Sequence, residues 1–382
     1  MRSTLNQIEG VLPSSAGQAF FRQNAMSEQV HDVVVVGAGP SGSCAAMKCA
    51  EAGLKVLLLD RERFPRDKAC GGVVGESTVR IFGKDILSVS ECEATRNDFF
   101  YDWEDIGHIE KREYFFKRRR LDHYLMQRAI ESGAEMREAV QATGVTIFKD
   151  RATVHTTASD LEAQIVIAAD GMSSAIGHSL GLTHHQNLCR YTSMKAEAEV
   201  TRRKAAELGV MDPTRQQTYF FSDLLGFAWV IPNNGSVNAG YGSTVDKSER
   251  LKQRFYKFLG HLGLEPQQVR GGQIPFVTIR RVYSERVLFT GDAAGFVNPW
   301  TGAGIDQGVM ASEKAAAVCK AACDSHDFSA EKMSIYQTLC RNQVRRTNWR
   351  GSWIKALDCM IPRGAIFPFW FKFFVKRLST IA

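Results

Sequence analysis

The stretch "DVVVVGAGPSGSCAAMKCAEAGLKVLLLD", residues 32–60, restricts the fold of this chain more than any other part of it. Val33 to Val36 read as a strand buried on both faces, glycines at 37, 39 and 42 turn the chain, and an alanine-rich helix follows. A second apolar run, Val56 to Leu59, ends at Asp60. Gly37 makes the tight turn, Gly39 lets backbone approach a diphosphate, and Gly42 lets the helix pack on the strand. Pro40 and Ser41 open the helix, where proline costs no hydrogen bond. Asp60 stands where an acid accepts from an adenosine ribose hydroxyl, with Arg61 beside it. The expected guest is a dinucleotide, and this cradle alone does not choose between FAD and NAD.

Two later stretches repeat the strand-then-turn pattern. In "AQIVIAADGMSSAIGHSLGL" a strand over Ile165 to Ala169 stops at Asp170 and Gly171. In "RVLFTGDAAGFVNPWTGAGIDQGVMASEKAAAVCKAA" a strand over Val287 to Thr290 stops at Gly291 and Asp292; Pro299, Gly302 and Gly304 precede a helix to about Ala322. Strand ends of this kind are where α/β sheets bind ligands. The second helix N-terminus, with bare backbone before it, favours negative charge, which suits the N1 and C2 carbonyl region of a reduced flavin.

G-x-G-x-x-G, A-D-G after a late strand and G-D-A-A-G-F-x-N-P-x-T-G-x-G-I together resemble the FAD-dependent class that includes aromatic hydroxylases, flavin halogenases and geranylgeranyl reductases. The resemblance runs from residue 32 to about 315. It implies FAD as cofactor and a p-hydroxybenzoate hydroxylase-like architecture. The fold class is then α/β, a Rossmann-type FAD-binding domain with an inserted antiparallel-sheet substrate domain and a C-terminal helical tail. It further implies that Asp292 holds the ribityl chain, that Asp170 and Gly171 lie near the diphosphate, and that Gly302, Ala303, Gly304 and Ile305 contact the flavin ring. "FFKRRRLDHYLMQRAIESGAEMREAV" resembles the class helix with an arginine four residues before an aspartate, here Arg118 and Asp122. Three adjacent arginines do not all face one ligand, so a solvated charge run remains open. Val140, closing the next strand, is a candidate for backbone contact with adenine.

"FPRDKACGGVV", residues 64–74, resembles the K-x-C-G-G-G pattern of geranylgeranyl reductases through Lys68, Cys70, Gly71 and Gly72, with Val73 in place of the third glycine. Two glycines let backbone pass a flat ring, and the Cys70 thiol beside it either donates a proton or packs. "GFAWVIP", residues 226–232, matches both the reductase and the halogenase pattern in part. Phe227, Trp229 and Ile231 either line an apolar substrate pocket, with Trp300, or form a half-buried strand. "NPWTGAG" is reductase-like and "GEST" halogenase-like. The leading expectation is a flavin reductase that saturates carbon–carbon double bonds of an isoprenoid-like substrate. Its reductant is NAD(P)H or an electron-carrier protein. The alternative is a monooxygenase or halogenase on the same scaffold; a flavin-binding sensor is a third reading.

Composition removes other classes. A net charge of +7 suits an anionic ligand or surface and is too diffuse for nucleic acid. Nine cysteines at irregular spacing, with no C-x-x-C, argue against a disulfide framework or metal site and for a reducing, cytoplasmic setting. No apolar run is long enough to span a bilayer.

The expected organisation is a disordered leader over 1–30, with Met26 as an alternative start, then FAD-binding pieces at 31–94, 117–189 and 281–325. Substrate-domain pieces fall at 95–116 and 190–280, and a basic, aromatic tail at 326–382. From Arg345 onward the chain holds eight Lys or Arg and one Asp, with seven aromatics between Trp353 and Phe374. Such a tail fits a peripheral segment on an anionic membrane surface, a cover over the substrate channel, or a dimer contact.

Overall fold

The computed structural model describes residues 30–183, 190–210, 212–222, 226–233, 235–243, 248–266, 268–275, 277–298 and 302–341. The leader, most of the tail, Pro299 and Trp300 lie outside the described residues. The first half of the chain runs β1 (His31–Val36), α1 (Pro40–Glu51), β2 (Val56–Leu59), β3 (Val73–Val74), α2 (Glu76–Phe82), β4 (Cys92–Tyr101), β5 (Glu104–Phe115), α3 (Arg118–Glu131), β6 (Glu135–Arg137), β7 (Ala142–Ile147), β8 (Ala152–Thr156), β9 (Leu161–Ala168) and α4 (Ala175–Ser179). There follow β10 (Arg190–Glu199), α5 (Arg202–Glu207), β11 (Arg215–Phe220), β12 (Gly226–Asn233), β13 (Ser236–Ser243), α6 (Ser248–Leu262), β14 (Gln268–Pro275), β15 (Tyr283–Ser284), β16 (Val287–Phe289), α7 (Gly291–Ala294) and α8 (Ile305–Ser325). Residues 330–341 are also helical.

One sheet has the order β15-β16-β9-β1-β2-β6, with β8 and β7 joined to the path through β9. Its centre is parallel, since β16, β9, β1, β2 and β6 pair in that sense. Parallel strands are covered on both faces, which is why Val33 to Val35 and Leu57 to Leu59 are continuous apolar runs without exposure. Helix α1 packs between α3 and α8. The buried Tyr336 donates its hydroxyl to the Phe289 carbonyl at 2.9 Å and seats the last helix against β16.

The second sheet has the order β14-β10-β13-β12-β11-β4-β5-β3, antiparallel except where β11 runs parallel to β4. It takes strands from two separated parts of the chain, β3 to β5, which begin at Val73, and β10 to β14, which begin at Arg190. Asn233 faces Ser236 across the β12–β13 hairpin. Strand alternation splits its faces. Ala228 and Val230 join α6 in a core with Phe255, Phe258 and Leu259, while Trp229 and Ile231 cluster on the other side with Val73 and Phe115.

Candidate active site

The first glycine turn is closed by packing. Gly37 has φ +101°, donates to the Leu59 carbonyl at 2.7 Å, and a Cβ there would stand 2.4 Å from the Ala169 oxygen. A Cβ on Gly42 would stand 1.7 Å from the Gly37 oxygen, so helix and turn touch directly. Above Gly39 there is room: the nearest atom to a Cβ would be Arg66 Nη2 at 3.8 Å. Pro40 is buried at the helix start. Ser41 Oγ would meet a Cβ on Gly291 at 2.5 Å and on Gly308 at 2.1 Å, which ties this turn to α7 and α8.

Asp60 ends β2 and shapes the turn. Its Oδ2 accepts from the Ala38 N–H at 2.8 Å and its Oδ1 from the Glu62 N–H at 2.9 Å. A carboxylate has about four lone-pair positions, so capacity for a ligand hydroxyl remains. Arg61 is turned outward, with its side chain 66% exposed and paired to Glu62 at 3.6 Å. The Val140 N–H is engaged by the Asp60 carbonyl at 3.0 Å, leaving only the Val140 carbonyl for a neighbour.

At the end of β9, Asp170 Oδ2 accepts from the Ile176 N–H at 3.3 Å, while Oδ1 is buried without a hydrogen-bond partner. Burial pushes this carboxyl above its ordinary value, against bonds from Ser174 and the Ile176 backbone. Gly171 follows with φ +82° and open space where a Cβ would be. Beside it in the sheet, β16 leads into α7, and Asp292 lies 3.4 Å from Lys68 Nζ. Gly304 caps α8 without a side-chain bond, and a Cβ there would be 3.5 Å from Asp292 Oδ1. Gly302 and Ala303 close a loop with Asn298, at 2.9 Å for each of two backbone bonds. Ile305 is half-buried at the helix start. Bare glycines, two helix N-termini without side-chain caps, the remaining acceptor capacity of Asp60 and the orphaned Asp170 oxygen fit an anionic dinucleotide.

The Cys70 turn lies between the two sheets. Cys70 Sγ accepts from the Gly72 N–H at 3.4 Å, and Gly72, with φ +74°, accepts from the Phe116 N–H at 3.0 Å. Trp229 Nε1 donates to Asn238 Oδ1 at 2.9 Å, and Asn238 Nδ2 donates to the Cys70 carbonyl at 3.4 Å. A Cβ on Gly71 would lie 3.4 Å from Ile231 and 3.6 Å from Trp229. Phe227 is half-buried, 5.7 Å from the Tyr191 ring. From the parallel-sheet side the Cys70 sulfur faces Arg118. Burial works against the Arg118 charge, but Asp122 outweighs it and holds the guanidinium above its ordinary value.

The arginine run is therefore divided: Arg118 is buried on Asp122 at 2.7 Å, Arg119 is exposed, and Arg120 pairs with Glu91 at 3.0 Å. Sequence reasoning missed four residues. Arg66 reaches Asp122 at 2.8 Å, Asn238 bridges Trp229 and Cys70, the buried Lys195 lies 3.9 Å from Asp67, and Asp306 accepts from the Gly75 N–H at 2.8 Å. Only Asp306 carried a local signal, an acid in the first turn of a helix. No group of three or more His, Cys, Asp or Glu among the described residues could hold a metal ion, and none of the described helices is long and apolar enough to cross a membrane.

Fold and turn together define a flavoprotein of the FAD-binding type. The family described as FAD binding domain matches residues 30–323, and the chain belongs to it. Digeranylgeranylglycerophospholipid reductase 1 of Methanopyrus kandleri is 30% identical over 342 residues, covering 83% of this chain and 87% of its own. Digeranylgeranylglycerophospholipid reductase 2 of the same organism is 31% identical over 345 residues, covering 83% of each. Among solved structures, a geranylgeranyl bacteriochlorophyll reductase-like protein of Thermoplasma acidophilum superposes with TM-score 0.79 at 24% identity, covering 88% of this chain and 89% of its own. A flavin-dependent brominase superposes with TM-score 0.74 at 16% identity, covering 90% and 89%. Within the FAD-binding class the chain is thus a member of the geranylgeranyl reductase family, an FAD-dependent oxidoreductase.

Proposed function

We propose that this enzyme reduces carbon–carbon double bonds of an apolar, isoprenoid-like lipid. The observation that carries the reading is the Cys70–Gly72 turn, which meets Arg118 on one side and Trp229, Ile231 and Asn238 on the other. The relatives' names support the substrate class. FAD, when bound and reduced, supplies a hydride equivalent. Gly37 to Gly42 and Asp60 hold the adenosine diphosphate end, while Asp170, Gly171, Asp292 and the loop Gly302–Ile305 hold the rest. Gly71 would let backbone approach the flat ring, Gly72 is bare because a Cβ there would stand 1.9 Å from the Phe116 oxygen, and Trp229 and Ile231 would exclude water. Cys70 holds the proton that the second carbon takes, oriented by Arg118. An isolated alkene accepts hydride poorly, so proton delivery in a dry site is the demanding step.

In this reading residues 31–94, 117–189 and 281–325 supply the cofactor half, and 95–116 and 190–280 the substrate half, with β3 and the first residues of β4 lent by the first piece to the second sheet. NAD(P)H acting transiently, or an electron-carrier protein, supplies the electrons. The basic, aromatic tail brings the enzyme to an anionic membrane surface, a reading that rests on its sequence.

The test is anaerobic. The protein is reduced and offered an apolar polyene. Flavin reoxidation without oxygen, with two hydrogens gained per flavin, supports the reductase. Reoxidation that requires oxygen, with a new hydroxyl or halogen in the product, replaces it by the oxygen-using reading, which the "GEST" stretch favours.

A further inference from the structure

Asp122 is fully buried and accepts from Arg118 twice, through Nε at 2.7 Å and Nη2 at 2.7 Å. It also accepts from Arg66 Nη1 at 2.8 Å. One carboxylate therefore takes the hydrogen bonds of two guanidiniums. The second carboxylate, Asp60, pairs with Arg66 Nη2 at 3.7 Å and balances its charge, but from beyond hydrogen-bonding distance, and its two oxygens already receive the Ala38 and Glu62 N–H groups.

The unused donor capacity of Arg66 has a direction. Arg66 Nη2 makes no hydrogen bond, and it is the atom that stands over Gly39, 3.8 Å from where a Cβ would be. The Arg66 side chain is only 14% exposed and stacks at 4.9 Å on the Phe64 ring, which limits its swing. Other cations near the cradle are committed or turned away: Lys68 sits on Asp292, Arg118 is bidentate on Asp122, and Arg61 points outward. A half-satisfied guanidinium above a helix N-terminus suits an anion offering two oxygens.

We propose that Arg66 binds the diphosphate of the dinucleotide, with Asp122 as its positioning partner. This rests on the reading that Gly37 to Gly42 hold that dinucleotide. The residue lies 24 positions beyond Gly42, and no glycine fingerprint includes it.

The experiment titrates apoprotein with FAD by flavin fluorescence and displaces FAD with ADP or adenosine. Arg66→Gln should weaken FAD and ADP binding by about tenfold or more, as expected for a lost charge-assisted bond. Adenosine should stay within about twofold, because it lacks the diphosphate. Arg66→Lys should keep the salt dependence of FAD binding while recovering only part of the affinity. An Arg66→Gln protein with an unchanged ADP-to-adenosine preference overturns the proposal, whether both affinities are retained or both fall together. Gly39→Val separates the two levels: if it binds FAD as wild type does, the cradle reading itself fails. If it loses FAD while Arg66→Gln keeps the ADP preference, only the role of Arg66 fails.

Discussion

Trp229 lies flat on Gly240: a Cβ at position 240 would stand 1.8 Å from the indole Cζ2. Two residues along β13, a Cβ on Gly242 would stand 2.1 Å from the Tyr191 ring. Strands β12 and β10 thus lay one aromatic ring each on bare backbone between them. This fixes the indole that reaches Asn238 and, through it, the Cys70 carbonyl.

Gly240→Ala should lift the indole, break its bond to Asn238 and destabilise the protein by about 1–3 kcal/mol, as overpacking does. The denaturation midpoint should fall while flavin content holds, since every proposed adenosine contact is in the other sheet. A wild-type midpoint would mean that the indole can move aside without cost.

Asp60→Ala and Gly39→Val should both strip FAD from the purified protein. One removes the ribose acceptor and two supports of the turn; the other fills the space over α1. Asp292→Ala should weaken FAD without abolishing it, because the α8 N-terminus remains. The flavin-to-protein absorbance ratio reads all three, and wild-type ratios in the first two would remove the cradle assignment.

Cys70→Ser and Cys70→Ala should bind FAD and accept electrons normally, yet slow reoxidation of the reduced protein by substrate by about 10²- to 10⁴-fold, the usual cost of a lost proton donor. Anaerobic single-turnover measurements decide it. Rates within a few fold of wild type would leave Cys70 as packing beside Trp229 and Ile231.

Burial raises the Asp170 carboxyl in the folded state, so the folded apoprotein holds that proton more tightly than the unfolded chain does. Stability is then lost as pH rises from the ordinary carboxylate value of about 3.9 through the raised one. Asp170→Asn apoprotein should be more stable than wild type at neutral pH, with the difference shrinking as pH falls. Urea midpoints across this range measure it; a difference that grows on acidification would reverse the sign of the argument.

Local pattern sufficed for the cradle. Val33 to Val36, the three glycines, Pro40 and Asp60 act within one strand–turn–helix–strand unit, so their spacing already encodes their geometry. The same holds for α8, whose start after Gly304 was legible although its end ran to Ser325. The family likeness rested on motifs of this local kind. What packs on Cys70 was not local: Asn238 lies 168 residues away and Arg118 on a helix after three intervening strands. In sequence Asn238 is a polar residue in an alternating strand, and Arg118 is one of three arginines. Only burial against partners brought from elsewhere in the chain distinguishes them. Arg66 is the sharpest case, since its meaning comes from Asp122 carrying two arginines over Gly39, a balance of charge that exists only once three separate segments meet.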